Sequence, residues 1–329
     1  MVARSPGGES ARLVYSPRMF ANLVRAALAA EFAAWAALGA WLQRRRDWDL
    51  AEVLAGVAAG ALGVRLLLVC LTLGLSWLAR SPRGPQERLG IAASLALVGG
   101  EWRAMLANNF LWLPLERTVL RADPPPAPCE AAPVVLVHGY FSNRGTLCGL
   151  ARALDSAGVA PVFVPSLPAI LASVETFAAH LAKVVEEVVA ASGQPRVILV
   201  CHSMGGLAAR AYLREYGPAR VAGLVTLGSP HHGSVLAAMA AGANGRQMRR
   251  GSEFLRGLAR AEGEAGPGCE ALSIYSVHDN LVAPQDSSRL AWARNASVHG
   301  VAHVAMLLDG RVHRLVLGEI ARLRAGPER

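Results

Sequence analysis

The run Val197-Ile198-Leu199-Val200-Cys201-His202-Ser203-Met204-Gly205-Gly206 holds the residues best suited to chemistry. An apolar, β-branched stretch ends in histidine and serine and passes at once into a segment that reads as helix. A sharp turn at such a junction lifts the serine hydroxyl above the end of the strand, the arrangement of a nucleophile elbow. The turn is crowded, so the residues two before and two after the serine must be small. Here they are Cys201 and Gly205, with cysteine where the usual pattern has a second glycine.

A serine hydroxyl is a poor nucleophile at neutral pH and needs a histidine base, itself oriented by a carboxylate. In a nucleophile-elbow hydrolase these follow in the order serine, acid, histidine. The aspartates between Ser203 and His303 are Asp279 and Asp286. Asp279 follows an apolar strand-like run and is the favoured acid; Asp286 comes after Pro284 and suits a turn. His303 lies in a loop leading into helix and is the favoured base. His299 sits at a strand end, where its side chain is expected to be buried. The oxyanion needs two backbone N–H donors. Met204, directly after the serine, is expected to supply one, and Tyr140, in Val137-His138-Gly139-Tyr140-Phe141, the other. His138 and the pair His231-His232 read as residues that brace loops, and His278, beside Asp279, as a strand-end residue rather than a catalyst. Neighbouring histidines on one loop rarely hold a single metal ion, so no metal is expected there.

These residues need a sheet to carry them. Short, continuously apolar runs at 134–137, 162–164, 197–200, 221–227, 272–277 and 296–299 read as buried strands. Helical spacing marks 173–191, 204–216 and 312–324. The alternation implies an α/β fold with a mostly parallel, doubly wound sheet. Between 230 and 268 the regularity fails among glycines and alanines, and the stretch is expected to form a helical cap.

The first third is different. Residues 21–42, interrupted by Arg25 and Glu31, and 53–79, holding Arg65, are apolar over lengths that can span a bilayer. The chain as a whole is 53% hydrophobic and 17% charged, which excludes a disordered protein. Residues 91–120 read as an amphipathic helix at the membrane interface or against the next domain, and 123–128 as a stiff proline-rich linker. The net charge is +9, with a single lysine, Lys183, among 33 basic residues. The arginines are scattered rather than striped, so nucleic-acid binding is not expected. The five cysteines form no CxxC pair, which argues against a zinc ribbon or redox motif.

The motifs His138-Gly139-Tyr140, His202-Ser203-Met204-Gly205-Gly206, Leu227-Gly228-Ser229-Pro230-His231-His232-Gly233-Ser234 and Asp279-Asn280-Leu281-Val282 resemble bacterial triacylglycerol lipases and esterases of the α/β-hydrolase superfamily. The resemblance runs from about Pro133 to the C-terminus. It implies hydrolysis of carboxylic esters through an acyl-enzyme, without an organic cofactor. Some of those lipases hold a structural calcium; Asp286 and Asp309 do not match its spacing, and no calcium is carried over.

The expected organisation is a membrane anchor over 1–88, a connector over 89–131 and an α/β-hydrolase domain over 132–329. The expected partners are a lipid or acyl-ester substrate and the bilayer. A thioesterase or acyltransferase would use the same three residues, and a non-catalytic membrane scaffold would keep only the fold. Arg4, Arg12 and Arg18 precede the first span, Arg80, Arg83 and Arg88 follow the second, and Arg44-Arg45-Arg46 lie between them. Positive charge favours the cytoplasm, so the balance predicts an inner-membrane protein with a cytoplasm-facing catalytic domain. Ser288 is expected to be an exposed position on that domain.

Overall fold

The computed structural model describes residues 18–326, apart from 126, 168 and 169. Arg4, Arg12 and Pro126 lie outside the described residues. Two long antiparallel helices open the chain, α1 (Arg18–Arg46) and α2 (Leu50–Leu78), followed by α3 (Ile91–Ala107) and α4 (Glu116–Val119). The first two are long and apolar enough to cross a membrane, with mean hydropathy of 1.4 and 2.2. Asp49 caps α2 by accepting from the Glu52 amide, and the Glu52 carboxylate accepts from the Asp49 amide in return, so the tip between the helices is sharply defined.

The charges that interrupt the two apolar segments meet each other. Arg65 of α2 forms a two-pronged ion pair with Glu31 of α1, one prong at 2.6 Å. Arg65 also donates to its own Ala61 carbonyl and lies 4.6 Å from the centre of the Phe110 ring. Each charge thus neutralises the other between the helices. Small residues let the helices approach: a Cβ on Gly60 would lie 2.7 Å from the Trp35 ring, and one on Gly39 would strike Val53.

The expected single helix over 91–120 is broken. After α3 the chain makes one π-helical turn (Asn108–Trp112), and regular helix resumes only at Glu116. Pro114 is the physical reason, because its ring removes an N–H and clashes with a preceding turn. The freed carbonyls are used for attachment: Leu113 accepts from Asn143 and Pro114 from Arg25. On its other side α3 packs on α2, with the Trp102 indole donating to the Leu62 carbonyl.

The rest of the chain is a layered α/β domain. Strands β1 (Val134–Val137), β2 (Val162–Phe163), β3 (Val197–His202), β4 (Val221–Leu227), β5 (Ala271–Ser276) and β6 (Arg294–Val298) form one parallel sheet in the order β2-β1-β3-β4-β5-β6. The helices between them are α5 (Cys148–Ser156), α6 (Val174–Ser192), α7 (Met204–Tyr216), α8 (Gly242–Gln247) and α9 (Glu253–Glu262), with α10 (Gly310–Ala325) closing the chain. Alternate strand residues serve opposite faces. Val135, Val137, Leu199 and Cys201 join the layer of α6, α7 and α9, whereas Val134, Leu136, Ile198 and Val200 join that of α5 and α10. This two-sided burial is why the strands read as continuous apolar runs.

The irregular 230–268 stretch holds the 3₁₀ turn Val235–Met239 with α8 and α9, and its part before α9 lines the cavity described below. Phe254, Leu255 and Leu258 of α9 are buried in the core beside α7. Glu262, at the end of α9, makes a buried two-pronged ion pair with Arg210 of α7 at 2.6 and 2.7 Å. Two burial expectations are corrected. β6 ends at Val298, which leaves His299 exposed beyond the sheet, and Ser288 is buried because its 3₁₀ turn tucks against β5, the Ser273 hydroxyl donating to the Ser288 carbonyl.

Replacing one partner of the helix-hairpin ion pair strands the other charge in a mostly apolar setting. Arg65→Leu is expected to lower the thermal stability of the purified protein by an amount on the order of a few kcal/mol. The double variant with Glu31→Leu as well should regain most of it. Equal melting temperatures for the single and double variants would contradict the pairing.

Candidate active site

Three loops at the carboxyl ends of the strands converge. Ser203 stands between β3 and α7 with φ 56° and ψ −127°, a left-handed conformation that non-glycine residues rarely adopt. It is held there by its neighbours: the Ser203 amide donates to the Leu227 carbonyl at 2.8 Å, and the backbone runs straight into α7. The space is as tight as the sequence pattern implies. A Cβ at Gly205 would lie 2.7 Å from the Val137 carbonyl oxygen and 2.8 Å from that of His138, so glycine is required. Cys201 is accommodated because its side chain points into the core of the α6 and α7 layer, not into the turn. Burial pushes its thiol pKa up.

Asp279 and His303 are brought together. Asp279 lies just past β5, and its Oδ2 and the His303 Nδ1 are 2.7 Å apart with both side chains buried. The other oxygen, Oδ1, accepts from the amides of Leu281 and Val282 at 2.7 and 2.8 Å. Asp286 is exposed, seven residues further on, and His299 is exposed too. Burial works against a charged His303, but the Asp279 charge and hydrogen bond, with the charge of Glu101, outweigh it and hold the imidazole above its ordinary pKa.

Ser203 and His303 line one cavity of about 370 Å³, open to solvent. Its walls are mainly apolar, from Phe141, Leu236, Met239, Met248 and Leu281, and Thr72 of α2 and Asn108 add polar groups. Gly139 brings the β1 loop against the serine, for a Cβ there would be 2.8 Å from that of Ser203. Tyr140 follows, its hydroxyl donating to the Ala241 carbonyl and accepting from the Ala241 amide, both at 3.0 Å. The side chain of Tyr140 thus ties this loop to the stretch before α8. Met204 is the first residue of α7, so its N–H has no partner within the helix.

Four other histidines near the strand ends contact loop backbone or neighbouring side chains. The His138 ring contacts the Gly139 carbonyl and accepts from the Leu167 amide, and burial lowers its pKa to about 4. His278 accepts from the Gly300 amide. His231 contacts Thr226, and His232 contacts the Arg289 carbonyl. Asp309 caps α10 and pairs with Arg311. Among the described residues no three His, Cys, Asp or Glu side chains cluster as metal ligands.

Sequence reasoning missed the partners from the first third. The Ser76 hydroxyl of α2 donates to the Asp279 carbonyl at 2.6 Å. Asn280 donates to Thr72 of α2 and accepts from the His303 amide at 3.0 Å. Glu101 of α3 accepts from the Val304 and Ala305 amides, directly after His303. The one signal for these contacts was a charge inside an apolar helix, Glu101 after Gly99-Gly100.

Residues 132–251 match the profile of the family described as alpha/beta hydrolase fold. The chain is 34% identical over 110 residues to a triacylglycerol lipase of Pseudomonas fragi, covering 32% of this chain and 36% of that protein. It is 36% identical over 113 residues to a triacylglycerol lipase of Burkholderia plantarii, covering 32% and 31%. The matched stretch is therefore about a third of the length of these curated relatives. Among solved structures, Aspergillus fumigatus lipase B superposes with a TM-score of 0.53 at 23% identity, over 58% of this chain and 52% of that one. The mature Bacillus licheniformis lipase BlEst2 superposes with a TM-score of 0.52 at 19% identity, over 60% and 96%. The chain thus has the α/β-hydrolase fold, and over about a third of their length it is similar in sequence to triacylglycerol lipases.

Proposed function

We propose that this protein is a membrane-anchored serine hydrolase that cleaves lipid or other acyl esters, with Ser203 as nucleophile, His303 as base and Asp279 as the carboxylate that orients it. The observation that carries the reading is the buried Asp279–His303 hydrogen bond beside a left-handed serine on the wall of a mainly apolar cavity. His303 takes the Ser203 proton as the oxygen attacks the ester carbonyl carbon. The N–H groups of Met204 and Tyr140 receive the negative charge that develops on the carbonyl oxygen. Collapse expels the alcohol, which takes the proton from His303, and leaves an acyl-Ser203 ester. Water, deprotonated by His303, then releases the acid and restores the serine. The apolar side chains of the cavity suit the acyl part of the substrate.

Membrane anchoring through α1 and α2 fits this substrate class. Both helices are mainly apolar, and Leu50, Leu54, Leu67, Leu71, Trp77 and Leu78 of α2 are exposed. An enzyme held on the bilayer meets esters already dissolved in it. On the charge balance, the hydrolase domain faces the cytoplasm.

A fluorophosphonate probe is expected to label the wild-type protein and not Ser203→Ala, and that variant should lose on the order of 10⁴–10⁶ in kcat on a p-nitrophenyl ester. Asp279→Asn should fall by roughly 10⁴, because the wrong histidine tautomer is favoured, while Asp286→Asn should stay near wild type. Ester turnover by Ser203→Ala close to wild type, or a dead Asp286→Asn beside an active Asp279→Asn, would refute the assignment.

The orientation has its own test. Ala265 is exposed on the hydrolase domain and suits a reporter cysteine. An impermeant maleimide added to intact cells should label Ala265→Cys no more than the wild-type background, and label it strongly after lysis. Strong labelling before lysis would place the domain on the other side.

A further inference from the structure

Glu101 is fully buried, and its carboxylate accepts from two backbone amides. A carboxylate removed from water without a cation is costly unless its oxygens are otherwise satisfied. Here Oε1 accepts from Val304 N at 3.1 Å and Oε2 from Ala305 N at 2.9 Å. Those amides open the 3₁₀ turn Ala305–Leu308, where N–H groups lack partners within the turn and favour a negative charge. They also follow His303 directly in the chain.

We propose that Glu101 is a positioning residue for His303: its carboxylate clamps the two amides after the histidine and places a second negative charge beside the imidazolium that forms during catalysis. The inference rests on the serine-hydrolase reading and deepens it, because it makes a helix outside the hydrolase domain part of the catalytic arrangement. His303 is then fixed at four points. Its amide donates to Asn280, the next two amides donate to Glu101, and its ring meets Asp279. These bonds fix the backbone from which the ring projects toward Asp279.

The charges facing His303 are Asp279 from the β5 loop and Glu101 from α3. On the β3 side lies His202, its ring centre 4.7 Å from that of His303. Burial first, and then His303 itself, keep His202 neutral, so it does not compete for the proton. Burial also pushes the Glu101 carboxyl up, against the pull of its two amides and of His303. A charged Glu101 raises the proton affinity of His303. Its removal makes the base neutral, and so active, at lower pH.

The test compares two variants with wild type on a p-nitrophenyl ester, from acid to neutral pH, with thermal unfolding as the check on folding. Glu101→Gln is expected to lose about tenfold to a hundredfold in kcat from misplacement of the histidine, with KM little changed. The acidic limb of its kcat/KM profile should move to lower pH. Glu101→Asp keeps the charge but cannot reach both amides, so it should lose kcat while its limb stays near that of wild type. A Glu101→Gln profile whose limb does not move, whatever its kcat, would overturn the proposal and leave a merely structural carboxyl. If Glu101→Gln does not fold, Glu101→Asp decides: wild-type kcat in that variant overturns the proposal. A wild-type protein that fluorophosphonate does not label removes the hydrolase reading, and this inference falls with it.

Discussion

The hydrogen bond between Asp279 and His303 is the constraint around which the rest is arranged. A carboxylate this deeply buried is tolerable only when both oxygens are satisfied. One oxygen is met by the Leu281 and Val282 amides, which requires the chain after β5 to turn back on itself at once. The other is met by the ring of a residue 24 positions later, which requires the loop after β6 to lie alongside. The parallel register of β5 and β6 delivers this, since both strands end on the same side as the elbow that carries Ser203.

The two loops that hold the pair are in turn held by the first third of the chain. Ser76 and Thr72 of α2 touch the Asp279–Asn280 loop, and Glu101 of α3 touches the His303 loop. Gln285 extends the network by donating to both the Ser76 hydroxyl and the Asp279 carbonyl, at 2.9 Å. The apolar helices are thus built into the site by hydrogen bonds to its backbone. Their own ion pair, Glu31 with Arg65, sits beside Phe110, close to where Asn108 lines the cavity.

Electrostatics separate His303 from the other buried histidines. Burial alone disfavours the imidazolium, and it lowers the pKa of His138, His202, His231 and His278. In His303 the same burial is overcome by two carboxylates. A histidine that accepts a proton readily while shielded from water is the property a general base needs.

The strands, the elbow at Ser203 and the placing of Asp279 just past a strand were legible in the sequence because each depends on local order. Strands buried on both faces must be continuously apolar, a turn as tight as that at Ser203 must have Gly205, and an acid placed right after a parallel strand must stand at the carboxyl end of the sheet. The two apolar helices were legible for the same reason. The break at 108–112, the burial of Ser288 and the exposure of His299 were not, because they turn on which surfaces meet. Nor could the sequence pair Glu31 with Arg65, or Glu101 with the amides after His303, across 34 and some 200 residues. A buried charge announces that it needs a partner, but which distant group satisfies it is settled only when the helices pack, since the cost of leaving it unpaired is paid in the folded interior and nowhere along the chain.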